Sequence, residues 1–160
     1  MSEKMKRVLF LDIDGPMIPS GMCFVDMRAS WHRMFSPICV AIVKTLLEDS
    51  GAALVTNSTH NVQHPGVAGG NDLRADLIEA GIPAEAFHEN WRTEYPGIPR
   101  DIAVGRWLAE NGEHDWVAFD DSKFTEDERL VLVDFDVGLT PVHYNAAARL
   151  WGITPVIIFG

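Results

Sequence analysis

The sequence predicts an α/β fold, a three-layer sandwich with a mainly parallel central sheet. Three observations carry this expectation. Short apolar runs at 8–13, 52–56 and 116–119 have the length and composition of buried strands. Each run ends in acids, hydroxyls or an amide, as strands do where they reach the rim of a sheet. Segments of helical periodicity alternate with them, which implies right-handed βαβ units.

The first strand covers 8–13 and ends in Asp12-Ile13-Asp14-Gly15. Pro16, Pro19, Gly21 and Pro37 then break the chain into a long loop and flap. Apolar residues at 38, 42, 43, 46 and 47 predict a helix, and Gly51 ends it. Strand two is 52–56. Residues 61–71 carry Pro65, Gly66, Gly69 and Gly70 and read as loop. Leu73, Leu77 and Ile78 before Gly81 mark a short amphipathic helix. Residues 84–99 look irregular, with a short strand near Phe87. A helix over 100–110 ends at Asn111-Gly112. A strand at 116–119, an acidic loop and a strand at 130–134 follow. Thr140 caps and Pro141 opens a last helix through Leu150. A final extended segment is expected at 155–159.

Composition narrows the function classes. A chain of 160 residues suffices for one domain with a full core, so a single domain over 1–160 is expected. The 47% hydrophobic and 22% charged content is that of a soluble globular chain. No apolar run is long enough to span a bilayer, and the charged start leads into a strand instead of a signal peptide. The net charge of −10 excludes a broad nucleic-acid binding surface, although it leaves room for a short contact with a nucleic-acid end. Cys23 and Cys39 show neither zinc nor redox spacing, which suggests free thiols in a reducing cytoplasm.

The chemistry concentrates at the strand ends. Asp12 and Asp14, two apart on a strand, are expected on one face. Two carboxylates about 5 Å apart repel by roughly 3 kcal/mol at an effective dielectric near 20. A fold tolerates this when a cation, a proton or a substrate lies between them. Asp120-Asp121 ends another strand of the same sheet. Carboxylates converging there form a hard oxygen site that suits Mg²⁺. Thr56-Asn57-Ser58-Thr59 adds hydroxyl and amide donors for phosphate oxygens. Arg100, at a helix start after a proline-rich loop, is placed to hold a dianion.

In this order the motifs resemble those of haloacid dehalogenase-like (HAD) phosphatases, with a Rossmann-type sheet. Asp12-Ile13-Asp14-Gly15 looks like the first motif, Thr56 or Ser58 like the hydroxyl of the second, Arg100 like the basic third and Asp120-Asp121 like the fourth. The stretches from Pro99 to Leu108, Trp116 to Asp121 and Gly138 to Thr140 are similar to the HAD domains of RNA-repair proteins. His60-Asn61 replaces a tryptophan–arginine pair common in that subgroup, and Pro16 replaces a threonine or valine. Neither long loop has room for a large cap domain.

The resemblance implies a Mg²⁺-dependent phosphomonoester hydrolase working through an aspartyl-phosphate. Asp12 would be the nucleophile and Asp14 the general acid and base. Mg²⁺ would be held by Asp12, Asp121 and the carbonyl of Asp14, with Asp120 a further ligand or a partner of one. Thr56 or Ser58 and Arg100 would hold the phosphoryl oxygens, with Asn57 and His60 also at the substrate. The missing cap implies a substrate such as a nucleotide or a phosphorylated nucleic-acid end. The alternatives are a small-molecule phosphatase closed by a partner or oligomer, and a non-catalytic binding module. Trp31, His32, Trp91 and Arg92 either stack on a base or cover the core edge.

Overall fold

Val8, Leu9, Phe10 and Leu11 are all fully buried because β1 (Arg7–Leu11) is the central strand of a five-stranded sheet. A computed structural model describes residues 4–24, 34–62 and 72–155. In it β1 pairs in parallel with β2 (Ala53–Thr56) and β4 (Asp115–Asp120), β3 (Phe87–Arg92) with β2, and β5 (Leu130–Leu132) with β4. The order is β3-β2-β1-β4-β5 and every pairing is parallel. The expected α/β sandwich is therefore present, and the described residues hold no large cap.

Side-chain alternation sorts the core into two layers. Leu9, Leu11, Val117 and Phe119 face α1 (Pro37–Ser50), α2 (Leu73–Ala80) and α4 (Pro141–Leu150). Val8, Phe10, Val55 and Ala118 face α3 (Arg100–Asn111) through Val104 and Trp107. Phe10 meets the edges of Trp107 and Trp116 at 5.3 and 5.9 Å between centroids. Burying such a ring stabilises the fold by roughly 2–3 kcal/mol.

The helix ends follow local chemistry. Ser36 caps α1 by accepting from the Cys39 N–H, and Gly51 ends it at φ +69°. Thr140 and His143 cap α4 reciprocally. The Trp107 indole donates to the Asn90 carbonyl at 2.8 Å, which ties α3 to β3. Among the described residues no helix is long and apolar enough to cross a membrane.

Three expectations change. Strand β1 stops at Leu11 and not at Ile13. The N–H groups of Met17 and Ile18 both turn back to the Ile13 carbonyl, so the chain leaves the sheet right after Asp12. Residues 87–92, expected to hold a short strand in irregular chain, form a six-residue edge strand. That strand mixes Phe87 and Trp91 with His88, Glu89 and Asn90, so its pattern hides its pairing. The strand expected to run to 134 ends at Leu132. Trp31, His32, Pro65, Gly66, Gly69, Gly70 and the segment 156–159 lie outside the described residues.

Candidate functional site

The strand order reverses between β1 and β4. The chain runs outward from β1 to β2 and β3, then returns to β4 on the other side. Open parallel sheets bind ligands at the carboxyl ends of the two strands that flank such a reversal. Here those ends carry Asp12 and Asp120. Leu11 is in register with Phe119, so the two aspartates emerge side by side. The Asp12 N–H donates to the Phe119 carbonyl at 2.9 Å and extends the ladder one residue beyond the strand.

Alternation then determines where each side chain points. Asp12 continues the parity of Val8 and Phe10, and Asp120 that of Ala118, toward the α3 layer. Arg100 is the first residue of α3 and meets them there. Its Nη1 donates to both oxygens of Asp120, at 3.1 and 2.9 Å. The same nitrogen forms an ion pair with Asp12 Oδ2 at 3.2 Å. Its hydrogens are directed at Asp120, so among the described residues the buried Asp12 Oδ2 has no hydrogen-bond donor. Asp12 Oδ1 accepts from the Ile13 N–H at 2.9 Å. The Tyr95 ring lies under the guanidinium at 4.4 Å.

Asp121 completes the cluster. One carboxylate oxygen from each of Asp12, Asp120 and Asp121 lies within 4.8 Å of the others. Gly15 makes this approach possible. A Cβ there would stand 3.1 Å from the Asp121 Cβ, and its φ of +96° favours glycine. Asp12 and Asp120 are only 2% and 1% exposed. Burial pushes the Asp12 carboxyl up to about 9, with Asp120 adding and Arg100 opposing. Burial also raises Asp120, against Arg100 and the Ser122 N–H. Burial works against the charge on Arg100, but Asp12 and Asp120 outweigh it and hold its pKa above the ordinary value.

Asp14 takes a different course. Because the strand ends at Leu11, the expected shared face for Asp12 and Asp14 does not form. The Asp14 side chain is 52% exposed, and its Oδ1 meets His60 Nε2 at 3.0 Å. Its carboxylate stands outside the group of three.

The turn after β2 separates its polar residues. Thr56 Oγ1 is buried and donates to Asn61 Oδ1 at 2.6 Å, so its one proton is used inside the protein. Ser58 Oγ accepts from the His60 N–H at 3.2 Å, and among the described residues nothing accepts its own proton. Asn57 shares the parity of Val55. Its Nδ2 donates to the Arg100 carbonyl, and its Oδ1 accepts from Thr93 Oγ1 at 2.7 Å. Asn61 closes the turn by donating to the carbonyls of Thr56, Thr93 and Tyr95. Asn61, Thr93 and Tyr95 carried no role in the sequence reading, because no motif marks them. Tyr95 also lines an open recess of about 480 Å³ with Asn61, Val62, Arg92, Thr93 and Glu94. Trp91 packs against the core, edge-on to Phe87.

A parallel sheet in this order, with acids from two neighbouring strands at its reversal, defines the HAD-like class of hydrolase folds. Within that class the chain belongs to the family described as the HAD domain in Swiss Army Knife RNA repair proteins, which matches residues 8–144. Comparison with curated proteins and with solved structures gave no match.

Proposed function

We propose that this chain is a cytoplasmic, single-domain, Mg²⁺-dependent phosphomonoester hydrolase that works through an aspartyl-phosphate on Asp12. The observation that carries the reading is Asp12 Oδ2: buried, without a hydrogen-bond donor, and flanked by Asp120, Asp121 and Arg100. A buried carboxylate oxygen is costly unless something pairs with it. An all-oxygen donor set of three carboxylates fits Mg²⁺. Asp12, Asp120 and Asp121 would hold it, with the Asp14 carbonyl as a further ligand. When bound, Mg²⁺ supplies charge stabilisation for the transferring phosphoryl group.

The residues of the chain then divide the work. Asp12 attacks phosphorus, and the bond to the leaving oxygen breaks with its electron pair on that oxygen. Asp14 gives that oxygen its proton and becomes a carboxylate. Water next attacks phosphorus and passes a proton to Asp14. The phosphorus–Asp12 bond breaks, returning its electron pair to Asp12 and releasing phosphate. The Ser58 proton and Arg100 hold the phosphoryl oxygens. Ser58 is preferred to Thr56 because the Thr56 proton already belongs to Asn61. Asn57 orients Arg100 through its carbonyl.

The uncapped rim and the recess beside Tyr95 support a nucleotide or a phosphorylated nucleic-acid end as substrate. The family's printed association with RNA repair supports the same class. The test is phosphate release with and without Mg²⁺ from nucleotides, 3′- and 5′-phosphorylated oligonucleotides and sugar phosphates. Turnover of the nucleic-acid substrates, abolished by EDTA, is expected. Turnover of sugar phosphates alone would redirect the substrate class, and no turnover of any would refute the reading.

A further inference from the structure

Arg92 is a cation at the rim of the sheet that the proposed reaction does not use. One row of register runs across the sheet from Leu11 through Thr56 to Arg92. Arg92 therefore ends β3 on the same edge where Asp12 follows β1. At about 4.8 Å per strand, its backbone lies roughly 10 Å from that of Leu11. The side chain is held in place. Its Nη1 donates to the Asn61 carbonyl at 3.2 Å, and its guanidinium lies 5.2 Å from the centre of the Trp91 ring. Asn61 is itself buried and fixed by the carbonyls of Thr56, Thr93 and Tyr95.

Charge separates Arg92 from its neighbours. Arg100 is matched by Asp12 and Asp120, and Arg106 by Glu94 at 2.8 Å. Among the described residues no carboxylate pairs with Arg92, and its Nε and Nη2 make no hydrogen bond. It lines the open recess together with Tyr95 and with Glu94, whose charge Arg106 already meets. Tyr95 also lies against Arg100 at 4.4 Å, so one ring borders both the recess and the arginine assigned to the transferring phosphoryl group.

We infer that Arg92 is the subsite for a second phosphate of the substrate, the phosphodiester next to the terminal phosphate that is removed. The inference rests on the phosphatase reading above and deepens it, by choosing a phosphorylated nucleic-acid end over a mononucleotide. A guanidinium with two nitrogens unused presents a planar fork that matches two oxygens of a phosphate. A nucleic-acid end carries its second phosphate one nucleotide from the first, on the scale of the separation between β1 and β3. A mononucleotide has only the phosphate that is removed. The net charge of −10 leaves no long basic track beyond this contact, so the grip is short.

The experiment measures kcat/KM with Mg²⁺ for wild type, Arg92→Ala and Arg92→Lys. The substrates are a mononucleotide, a dinucleotide ending in the same phosphate, each in its 5′- and 3′-phosphorylated form, and a hexose bisphosphate. The readout is selectivity, the ratio of dinucleotide to mononucleotide. Wild type should favour the dinucleotide by about tenfold, the size of one charge-assisted hydrogen bond. Arg92→Ala should bring the ratio close to one, and Arg92→Lys should keep part of it as a point charge. For the dinucleotide, the slope of log kcat/KM against log salt should flatten in Arg92→Ala by roughly 0.7, the value of one single-strand phosphate contact.

A loss of fold in a variant lowers both substrates together and leaves the ratio alone, and the wild-type ratio needs no variant at all. Wild type that turns over mononucleotide and dinucleotide equally would overturn this inference alone, as would a ratio unchanged in Arg92→Ala. A preference for the hexose bisphosphate over the dinucleotide would overturn the nucleic-acid source of the second phosphate. Wild type that releases phosphate from none of them would overturn the phosphatase reading, and this inference with it.

Discussion

Replacing Asp12 by asparagine should abolish turnover and at the same time raise the stability of the metal-free protein. The shape is kept: the amide oxygen of the Asp12→Asn side chain still accepts from the Ile13 N–H, as Asp12 Oδ1 does. The charge balance changes. For an ionised Asp12 at an effective dielectric near 20, Asp120 and Asp121, each with an oxygen within 4.8 Å, repel it by at least roughly 3–4 kcal/mol apiece, and Arg100 at 3.2 Å returns roughly 5. The charge interactions alone therefore disfavour ionised Asp12 by roughly 2 kcal/mol, a cost that the native side chain avoids by holding a proton and that the amide never meets. The cost of burying a carboxylate acts in the same direction. For a domain of this size, 2 kcal/mol corresponds to roughly 4–8 °C in Tm.

The sign of the pH dependence follows from the same shift. Burial raises the native Asp12 pKa to about 9, above its unfolded value. The native state therefore holds a proton that the unfolded chain releases. This contribution is complete below the unfolded pKa of about 4 and is lost as pH rises toward the native value. The Tm of wild type in EDTA should fall across that window, and the fall should be smaller in Asp12→Asn. The two melting curves then lie close near pH 4 and separate by pH 8. Differential scanning fluorimetry in EDTA measures this directly, alongside a phosphate-release assay in Mg²⁺. A variant less stable than wild type at pH 8, or one keeping more than about a tenth of the wild-type rate, would refute the reasoning.

Further outcomes are expected at the other positions. Mg²⁺ at a hundredfold excess over Kd should stabilise wild type by about 2.7 kcal/mol, and Asp121→Ala should remove that response in the same melting assay. Ser58→Ala should lower kcat by about 10²-fold, as loss of a transition-state donor does. Thr56→Val should cost about 1 kcal/mol in urea unfolding with little change in kcat, since it leaves Asn61 Oδ1 without its donor; the opposite pattern would return the phosphoryl contact to Thr56. Gly15→Ala should destabilise by about 1–2 kcal/mol and weaken the Mg²⁺ response, because φ is +96° and the new methyl presses on Asp121.

The sequence by itself determined the sheet and its acids. Apolar runs of strand length that end in Asp12, Thr56 and Asp120 specify both the buried strands and the rim where polar groups gather, since burial and side-chain period are local properties. Arg100 was equally legible, as a cation at a helix start after Pro99. The edge strand Phe87–Arg92 was only partly visible, because one solvated side gives it no clean alternation. What only the tertiary structure decided is which polar groups meet. Asp12 and Asp14 part company because β1 ends at Leu11 and the chain folds back onto the Ile13 carbonyl. Thr56 and Ser58 look interchangeable in the sequence. Long-range contacts distinguish them, for Asn61 takes the Thr56 proton in a turn anchored on Thr93 and Tyr95. The meeting of His60 with Asp14 spans 46 residues. Such pairings depend on the register of β1 against β2 and on the turns beyond it, and no local pattern encodes that register.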